Sequence, residues 1–211
     1  GIGTYANGEA PTGYGIRPAP YTTDLAVNNY TYDATNNTGS ISQPHGIGFV
    51  WCTMLWDMNW ALIDEYGFDP DVYYGTGGNN IAMHLVVNGL KLQGCSPGFE
   101  DGRDAILQAD QLLYGGANQC LIWNAFAARG LGYSADQGSA NSRTDQTEAF
   151  DLPPGFVNSS GSASLTECTS YTWAANGQTY SSSGSYTAIL SNAVVLDSTN
   201  GHNLTILAPT T

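Results

Sequence analysis

The stretch 44–66 constrains the fold of this chain more than any other, because apolar residues recur along it at helical spacing. One row of the expected helix contains Ile47, Val50, Trp51, Met54, Leu55, Met58 and Leu62, and a second contains Phe49, Cys52, Trp56, Trp60 and Ile63. A helix that is apolar nearly all round is a central helix, wrapped by the rest of its domain. Pro44 suits its first turn, and Gly67 suits its end. His45 opens this helix and is the first candidate functional residue, unless it only caps or packs.

Three further helices are expected after the central one. They begin at Asn79 or Asn80, at Phe99 and near Asn118, and end at about Gly94, Tyr114 and Arg129. Residues 41–132 should therefore form a compact helical unit. Residues 1–40 read as an ordered loop with one short strand or turn, and its tyrosines could pin it to the helices: Tyr5, Tyr14, Tyr21, Tyr30 and Tyr32.

The composition changes after about Leu131. Residues 134–165 are rich in Ser, Gly, Asp, Asn and Pro, which predicts a linker or a wrapping tail. Short alternating runs separated by turn residues then predict strands at 171–173, 178–180, 186–190, 193–196 and 203–207. The expected fold is mainly α followed by a small all-β segment. The expected domains are residues 1–132, a linker or tail at 133–165, and a small β-sandwich-like module at 166–211.

The charge of the chain excludes two classes of partner. The chain has five Lys and Arg residues and eighteen Asp and Glu residues, which gives a net charge of −13. Nucleic acids and anionic membrane surfaces both need a basic patch, so neither is expected as a partner. No apolar run is long enough for a membrane span. Low total charge with many Gly, Ser, Thr, Asn and Tyr residues is typical of an extracellular protein.

The histidines carry no recognisable zinc motif of their own. The pattern His-Glu-x-x-His is absent, and none of His45, His84 and His202 has a second histidine one turn later. We expect His84 to be a core or boundary residue and His202 to be solvated. Acidic residues could bind calcium, namely Asp69, Asp71, Glu100 and Asp101, but a solvated acidic loop is the simpler interpretation.

Four cysteines are present, and no two of them form a Cys-x-x-Cys pair. Cys95 and Cys120 lie at polar, glycine-rich helix borders, which suits a disulfide. Cys52 should be a buried free thiol within the central helix, and Cys168 has no obvious partner. The N-terminal sequence GIGTYANGE has neither an initiator Met nor a leader pattern. We therefore expect the chain to be part of something longer.

Four blocks of the chain carry a resemblance to a known family. They are GIGTYANGEAPTGYGIRPAPYTTD, PHGIGFVWCTMLWDMNWALIDEYG, AMHLVVNGLKLQGCSPGFEDGRDAILQAD and GGANQCLIWNAFAARGLG. Together they resemble the C-terminal helical half of a fungalysin-type zinc metalloendopeptidase, a relative of thermolysin, over residues 1–132. The family's zinc ligands lie upstream of the matched region. The resemblance therefore implies zinc in the full-length enzyme, bound by a missing N-terminal catalytic half that is a partner of this chain, with peptides or proteins as substrates.

Two family roles fall on residues of this chain. Arg17, in RPAPYTTD, corresponds to the arginine that binds a substrate carbonyl beside the scissile bond. His45 corresponds to the histidine that donates a hydrogen bond to the oxyanion of the tetrahedral intermediate. Relatives place an acid shortly before this histidine to orient its ring. Here Asp33 is the nearest upstream acid, and Gln43 or Ser40 could replace it. Relatives also carry cysteines at the places of Cys95 and Cys120, which supports their pairing.

The end of the chain carries a second resemblance. The stretch from Cys168 to Ile206 is similar to a short module of secreted proteins from Bacteroidetes-type bacteria, which implies an adhesion, spacer or sorting role. In that module a second cysteine stands where this chain has Leu196.

Two functions follow as hypotheses. The favoured one is the C-terminal part of a secreted zinc metalloendopeptidase, in which zinc-activated water hydrolyses peptide bonds and which is inactive without its other half. The alternative is a non-catalytic extracellular structural, adhesive or self-assembling protein with a peptidase-derived fold.

Overall fold

A computed structural model describes residues 1–154, 156, 160–167, 170–173, 176–191 and 197–207. The chain divides into two units, Gly1–Leu152 and Pro153–Thr211. The helices of the first unit are α1 (His45–Tyr66), α2 (Gly78–Leu92), α3 (Phe99–Tyr114) and α4 (Gln119–Ala128), with 3₁₀ turns at Tyr5–Asn7 and Tyr32–Asn36. The strands of the second unit are β1 (Ser160–Glu167), β2 (Tyr171–Trp173), β3 (Gln178–Tyr180), β4 (Gly184–Ser191) and β5 (Asp197–Ile206). The predicted order, a helical region followed by a small β segment, is confirmed.

Helix α1 is the central element of the first unit, and it packs against α2, α4 and the second 3₁₀ turn. The helical row Val50, Met54, Met58 and Leu62 has no exposed surface, as its spacing predicts. The second row is only partly covered, since Phe49 is buried. Trp56 and Trp60 are exposed, because the neighbours of α1 cover only one side of it.

Glycines end two of the predicted helices at a conformation that suits them. Gly115 follows α3 with φ +66°, in the left-handed region, and its N–H donates to the carbonyl of Asp110. Gly130 follows α4 with φ +82°. An L side chain is strained at such angles, so these glycines fix where the helices stop.

Aromatic contacts hold part of the N-terminal segment on the helices. The ring of Tyr21 lies 5.4 Å from that of Phe49, and Tyr30 meets Phe49 edge to face at 5.2 Å. Tyr32 stacks on Phe99 at 5.2 Å. The predicted pinning by tyrosines is therefore present at three positions. It is absent at two exposed ones, Tyr5 and Tyr14.

The segment after α4 continues over the first unit. Arg143 donates to the backbone carbonyls of Thr35 at 3.1 Å and Ile41 at 2.6 Å. Isolated bridges pair Leu131 with Ala149 and Asp136 with Thr147. The bridges fold residues 131–149 back on themselves, and the Arg143 bonds tie this segment to the N-terminal part of the helical unit.

The second unit contains two small sheets. One has the order β1-β5-β4, in which β1 runs parallel to β5 and β4 runs antiparallel to it. The other is the antiparallel pair β2 and β3, in which Tyr171 faces Tyr180. Strand β1 begins at Ser160, in the stretch read from sequence as linker or tail. The predicted run 193–196 and Cys168 lie outside the described residues.

Candidate functional site

A surface groove of about 590 Å³ runs beside the first turn of α1. Arg17 and His45, the two residues singled out from the sequence, both line it. The remaining lining residues come from the loop around Arg17, the loop before α1 and the helix itself: Gly15, Ile16, Pro18, Ser40, Ser42 and Gly46. The fold therefore brings together two side chains that are 28 positions apart in the sequence (45 − 17).

The first turn of α1 fixes the position of His45. The N–H of Gly46 donates to the carbonyl of Ser42 at 2.8 Å. A Cβ at Gly46 would lie 2.9 Å from Cγ2 of the buried Ile41, so only glycine allows the loop to approach this closely. His45 is the first residue of α1, and its side chain is exposed to the groove. The aligned peptide dipoles of α1 give this end of the groove a positive field.

The backbone before Arg17 forms a tight turn beside the groove. The Glu9 carboxylate accepts the N–H of Gly15 at 2.8 Å, and this bond is the main reason that the pKa of Glu9 is lowered. The N–H of Ile16 donates to the carbonyl of Ile2 at 2.8 Å. The backbone just before Arg17 is therefore held at two successive residues.

Tyr21 joins Arg17 to the central helix. Its ring lies 5.4 Å from that of Phe49 and stacks on Trp56 at 6.0 Å. Burial raises the pKa of Tyr21, the neighbouring Cys52 raises it further, and the Arg17 guanidinium lowers it. The hydroxyl thus lies beside both groups. The sequence predicts only that Tyr21 pins the loop to the helices, and nothing in its pattern indicates the interaction with Arg17.

The remaining cations of the chain have other partners. Arg103, Arg129 and Arg143 donate to backbone carbonyls, and Lys91 hydrogen bonds to Asn88 at 3.2 Å. Arg17 has no hydrogen bond to a carbonyl or a carboxylate of any described residue and lines the groove instead. A guanidinium offers five N–H donors, so Arg17 can bind an acceptor that enters the groove.

The imidazole of His45 has no hydrogen-bond partner among the residues that the structure describes. Asp33, the nearest upstream acid, accepts a hydrogen bond from the side chain of Asn36 at 2.9 Å. The N–H of Ser40 donates to the Asn37 side chain, and the Gln43 side chain makes no hydrogen bond within the described part of the chain. The ring is thus available to a ligand, and none of these three candidates orients it here.

The other two histidines differ from their predicted environments. His84 is exposed, with Nδ1 3.2 Å from the hydroxyl of Tyr114, because α2 turns this face outward. His202 is half-buried and stacks on Trp173 at 4.2 Å, since β5 brings it against the hairpin of β2 and β3. His84 is therefore not a core residue, and His202 is not solvated.

The cysteines also correct the sequence reading. Cys95 is a free, exposed thiol, so the structure does not contain the predicted Cys95–Cys120 disulfide. Cys52 is free as predicted but exposed rather than buried. Trp56, one helical turn further on in the same row, is exposed as well.

Three of the four acidic residues considered for calcium, Asp69, Asp71 and Asp101, accept hydrogen bonds from backbone N–H groups. Asp69 accepts the N–H groups of Asp71 at 2.9 Å and Thr76 at 3.1 Å. Asp101 accepts the N–H of Gly98 at 2.9 Å. Within the described residues, no three or more His, Cys, Asp or Glu side chains form a group that could hold a metal ion. The part of the chain that the structure describes also contains no helix that is both long and apolar enough to cross a membrane.

Comparison with known proteins identifies relatives of the helical unit. Residues 1–135 match the family described as fungalysin metallopeptidase (M36). The chain is 44% identical over 147 residues to extracellular metalloproteinase 3 of Arthroderma otae, covering 67% of this chain and 22% of that protein. It is 46% identical over 140 residues to extracellular metalloproteinase MEP of Neosartorya fischeri, covering 64% of this chain and 22% of that protein.

A protein from Fusarium vanettenii, also named extracellular metalloproteinase MEP, is 44% identical over 148 residues. The chain thus spans about a fifth of the length of the curated relatives it matches. The family match covers well over half of this chain and includes both residues that line the groove. The chain belongs to the fungalysin metallopeptidase family.

Proposed function

We propose that this chain forms one wall of the peptide-binding cleft of a secreted zinc metalloendopeptidase, with Arg17 and His45 as the residues that contact the substrate. The observation that carries the proposal is their common position on one groove of about 590 Å³. Family membership supports it, because the matching relatives are named extracellular metalloproteinases.

Arg17 would bind a backbone carbonyl of the substrate beside the scissile bond. Its guanidinium is always charged and presents donors in a planar fork, which suits an oxygen acceptor of fixed direction. The held turn before it and the Tyr21 hydroxyl beside it restrict where that fork can point. Such preorganisation reduces the entropy lost when substrate binds.

His45 would donate a hydrogen bond to the oxyanion that forms when the substrate carbonyl becomes tetrahedral. Its exposed ring has no competing hydrogen bond in the described structure, so a donor is free for this role. The N-terminus of α1 adds a favourable field for negative charge at the same place. Both effects strengthen as charge develops, which is the condition for accelerating the reaction.

The zinc of this family does not fit the described residues, because they contain no suitable group of ligands. We therefore assign no chemical step on this chain to a metal. The proposal assigns zinc binding, and the thermolysin-like assembly of the complete enzyme, to an additional N-terminal half. Taken alone, the chain should not hydrolyse peptides.

The alternative, a non-catalytic structural or adhesive protein, requires no open groove between Arg17 and His45. The family match does not exclude it, since a peptidase-derived fold can lose its activity. The assignment of the second unit to a Bacteroidetes-type secreted module also stays a prediction.

Substitution of Arg17 in the full-length enzyme tests the proposal. Arg17→Ala should lower kcat/KM by roughly 10- to 100-fold, the range expected for a hydrogen bond to a charged donor. Arg17→Lys should recover part of this loss, because it keeps the charge but not the fork. Lys91→Ala, which removes an exposed cation outside the groove, is the matched control. Equal kcat/KM for Arg17→Ala and Lys91→Ala would reject the role of Arg17.

A further inference from the structure

Four residues at a spacing of four form an exposed row along α1. They are Gly48, Cys52, Trp56 and Trp60, and we call them the open row. Residues four apart form a ridge on a helix surface, and helices most often pack on their neighbours through such ridges. Helix α1 therefore keeps a packing ridge that the described elements leave exposed.

The aromatic part of the open row is one continuous patch. The ring of Trp56 meets that of Trp60 at 6.1 Å and stacks on that of Tyr21 at 6.0 Å. Trp56 is 36% exposed and Trp60 is 40% exposed. A single exposed apolar side chain is normal at a protein surface, whereas adjacent ones that form a patch mark an interaction surface.

Apolar surface continues from the open row toward α2. A groove of about 290 Å³ lies between the two helices, and Leu55, Met83 and Val87 line it. Leu55 is three residues after Cys52, so the two are neighbours on the surface of α1. Met83 and Val87 are 38% and 52% exposed. The exposed apolar surface therefore spans two helices.

Charge limits what can cover the open row. None of its four residues is charged, although the chain has a net charge of −13. Asp64, the next position at the same spacing, is exposed and ends the apolar part. Asp57, beside Trp56, is paired with Arg129 at 2.6 Å. A basic partner finds no counter-charge on the row, and a second copy of the chain brings the same net negative charge. The surface thus suits an uncharged apolar partner.

The open row is continuous with the groove that holds Arg17 and His45. His45 lies three residues before Gly48 on α1. At the next position of the row, Cys52 lies beside the Tyr21 hydroxyl, which also lies beside Arg17. Whatever covers the row therefore lies next to the groove.

The matching relatives are long enough to supply such a cover. The match includes 22% of extracellular metalloproteinase 3 of Arthroderma otae and 22% of extracellular metalloproteinase MEP of Neosartorya fischeri. About 78% of each of these proteins (100 − 22) lies outside it.

We propose that the open row is the docking surface for an apolar face of the additional N-terminal half of the enzyme. The inference rests on the proposed function, which assigns zinc binding to that half. A half seated on Cys52, Trp56 and Trp60 lies beside His45 and forms the second wall of the cleft. Docking thereby sets the width of the groove.

Alkylation of Cys52 tests the docking. Iodoacetamide is added to the 211-residue chain and to the full-length enzyme, and peptide mass spectrometry follows the modified fraction of Cys52. The free, exposed thiol should react in the chain. In the full-length enzyme its rate should be at least about tenfold lower, because the docked half must first open. A thiol introduced by Gln108→Cys, at an exposed position of α3, is the control and should react at equal rates in both proteins.

Photo-cross-linking identifies what covers the row. Trp60→p-benzoylphenylalanine in the full-length enzyme should cross-link on irradiation to a peptide of the additional N-terminal half. The same replacement at Gln108 should give no cross-link to that half, since it lies outside the apolar surface.

Three results would overturn the proposal. They are protection of Cys52 no greater than that of the Gln108→Cys thiol, a cross-link from position 60 to a second copy, and a cross-link to residues 153–211. None of these measurements depends on catalysis. An exposed Cys52 in an enzyme that loses activity on substitution of Arg17 and His45 rejects only the docking surface. A protected Cys52 in an enzyme that tolerates those substitutions rejects only their assigned roles.

Discussion

Arg129 and Asp57 form a buried ion pair, in which Nε of the arginine lies 2.6 Å from Oδ2 of the aspartate. The Arg129 side chain has no solvent exposure. Its guanidinium also donates to the backbone carbonyls of Thr22 at 2.9 Å and of Asn28. One side chain at the end of α4 thereby joins the middle of α1 to the N-terminal segment that carries Arg17. The position of the groove depends on this connection.

Asp57→Ala should destabilise the helical unit by about 3 kcal/mol, because it leaves the Arg129 charge buried without its counter-ion. Urea unfolding followed by circular dichroism at helical wavelengths measures this loss, since the α-helices of the described residues lie in the first unit. Asp64→Ala is the matched control on the same helix, and its exposed carboxylate has no partner in the described structure. The control should stay within about 0.5 kcal/mol of the unsubstituted chain. Equal free energies of unfolding for Asp57→Ala and Asp64→Ala would show that the ion pair does not stabilise the helical unit.

Stability should fall in acid through carboxylates that accept backbone N–H groups. The N–H of Gly98 and then the side chain of Gln137 lower the pKa of Asp101 below its ordinary value of 3.8. The folded state then holds this proton less readily than the unfolded chain does. The contribution is therefore present above the unfolded pKa and is lost as the pH falls through the lowered folded pKa.

Asp101→Asn should reduce the difference between unfolding midpoints in urea measured at about pH 5 and about pH 3. Asp64→Asn should leave that difference intact, since Asp64 accepts no backbone N–H among the described residues. An unaltered difference in the Asp101 variant would mean that this carboxylate does not couple protonation to folding.

Tyr21→Phe should impair the enzyme through Arg17. The substitution keeps the stacking of the ring on Trp56 but removes the hydroxyl beside the guanidinium. We expect kcat/KM to fall about three- to tenfold. In an Arg17→Ala background the same substitution should have little further effect, since residues in contact are coupled. Tyr14→Phe, at an exposed tyrosine, is the control. If the losses in kcat/KM of the two single variants simply added in the double variant, Tyr21 would not act through Arg17.

Cys95 should react with iodoacetamide in the folded chain without reductant, because it is a free and exposed thiol. Peptide mass spectrometry under non-reducing conditions measures the modified fraction. Recovery of a peptide in which Cys95 is disulfide-linked to Cys120 would restore the pairing expected from the sequence.

Local patterns were sufficient to predict the helices. The repeat from Val50 to Leu62 predicts the buried face of α1, and Gly115 and Gly130 follow the ends of α3 and α4 as expected. Strand β1 could not be found this way. Its sequence, SGSASLTE, has only two apolar side chains in alternation, Ala163 and Leu165, and its pairing with β5 involves residues 39 positions further on (199 − 160).

Long-range contacts limited what the sequence indicated about the site. His45 is indicated by its place at the start of the central helix and by the family resemblance, and Arg17 by the resemblance alone, but only the folded chain places them on one groove. Asp57 and Arg129 are 72 positions apart, and no helical or strand spacing connects them. The exposure of Cys52 likewise depends on which face of α1 the other elements cover.

The most direct test of the central claim is kcat of His45→Ala in the full-length enzyme, compared with His84→Ala. Both substitutions remove an exposed imidazole from a helix, but only His45 lines the groove with Arg17. Loss of one oxyanion donor should lower kcat by roughly 10²–10³ in the His45 variant, and the His84 variant should keep the kcat of the unsubstituted enzyme. Equal kcat values for the two variants would contradict the assignment of His45 to the reaction.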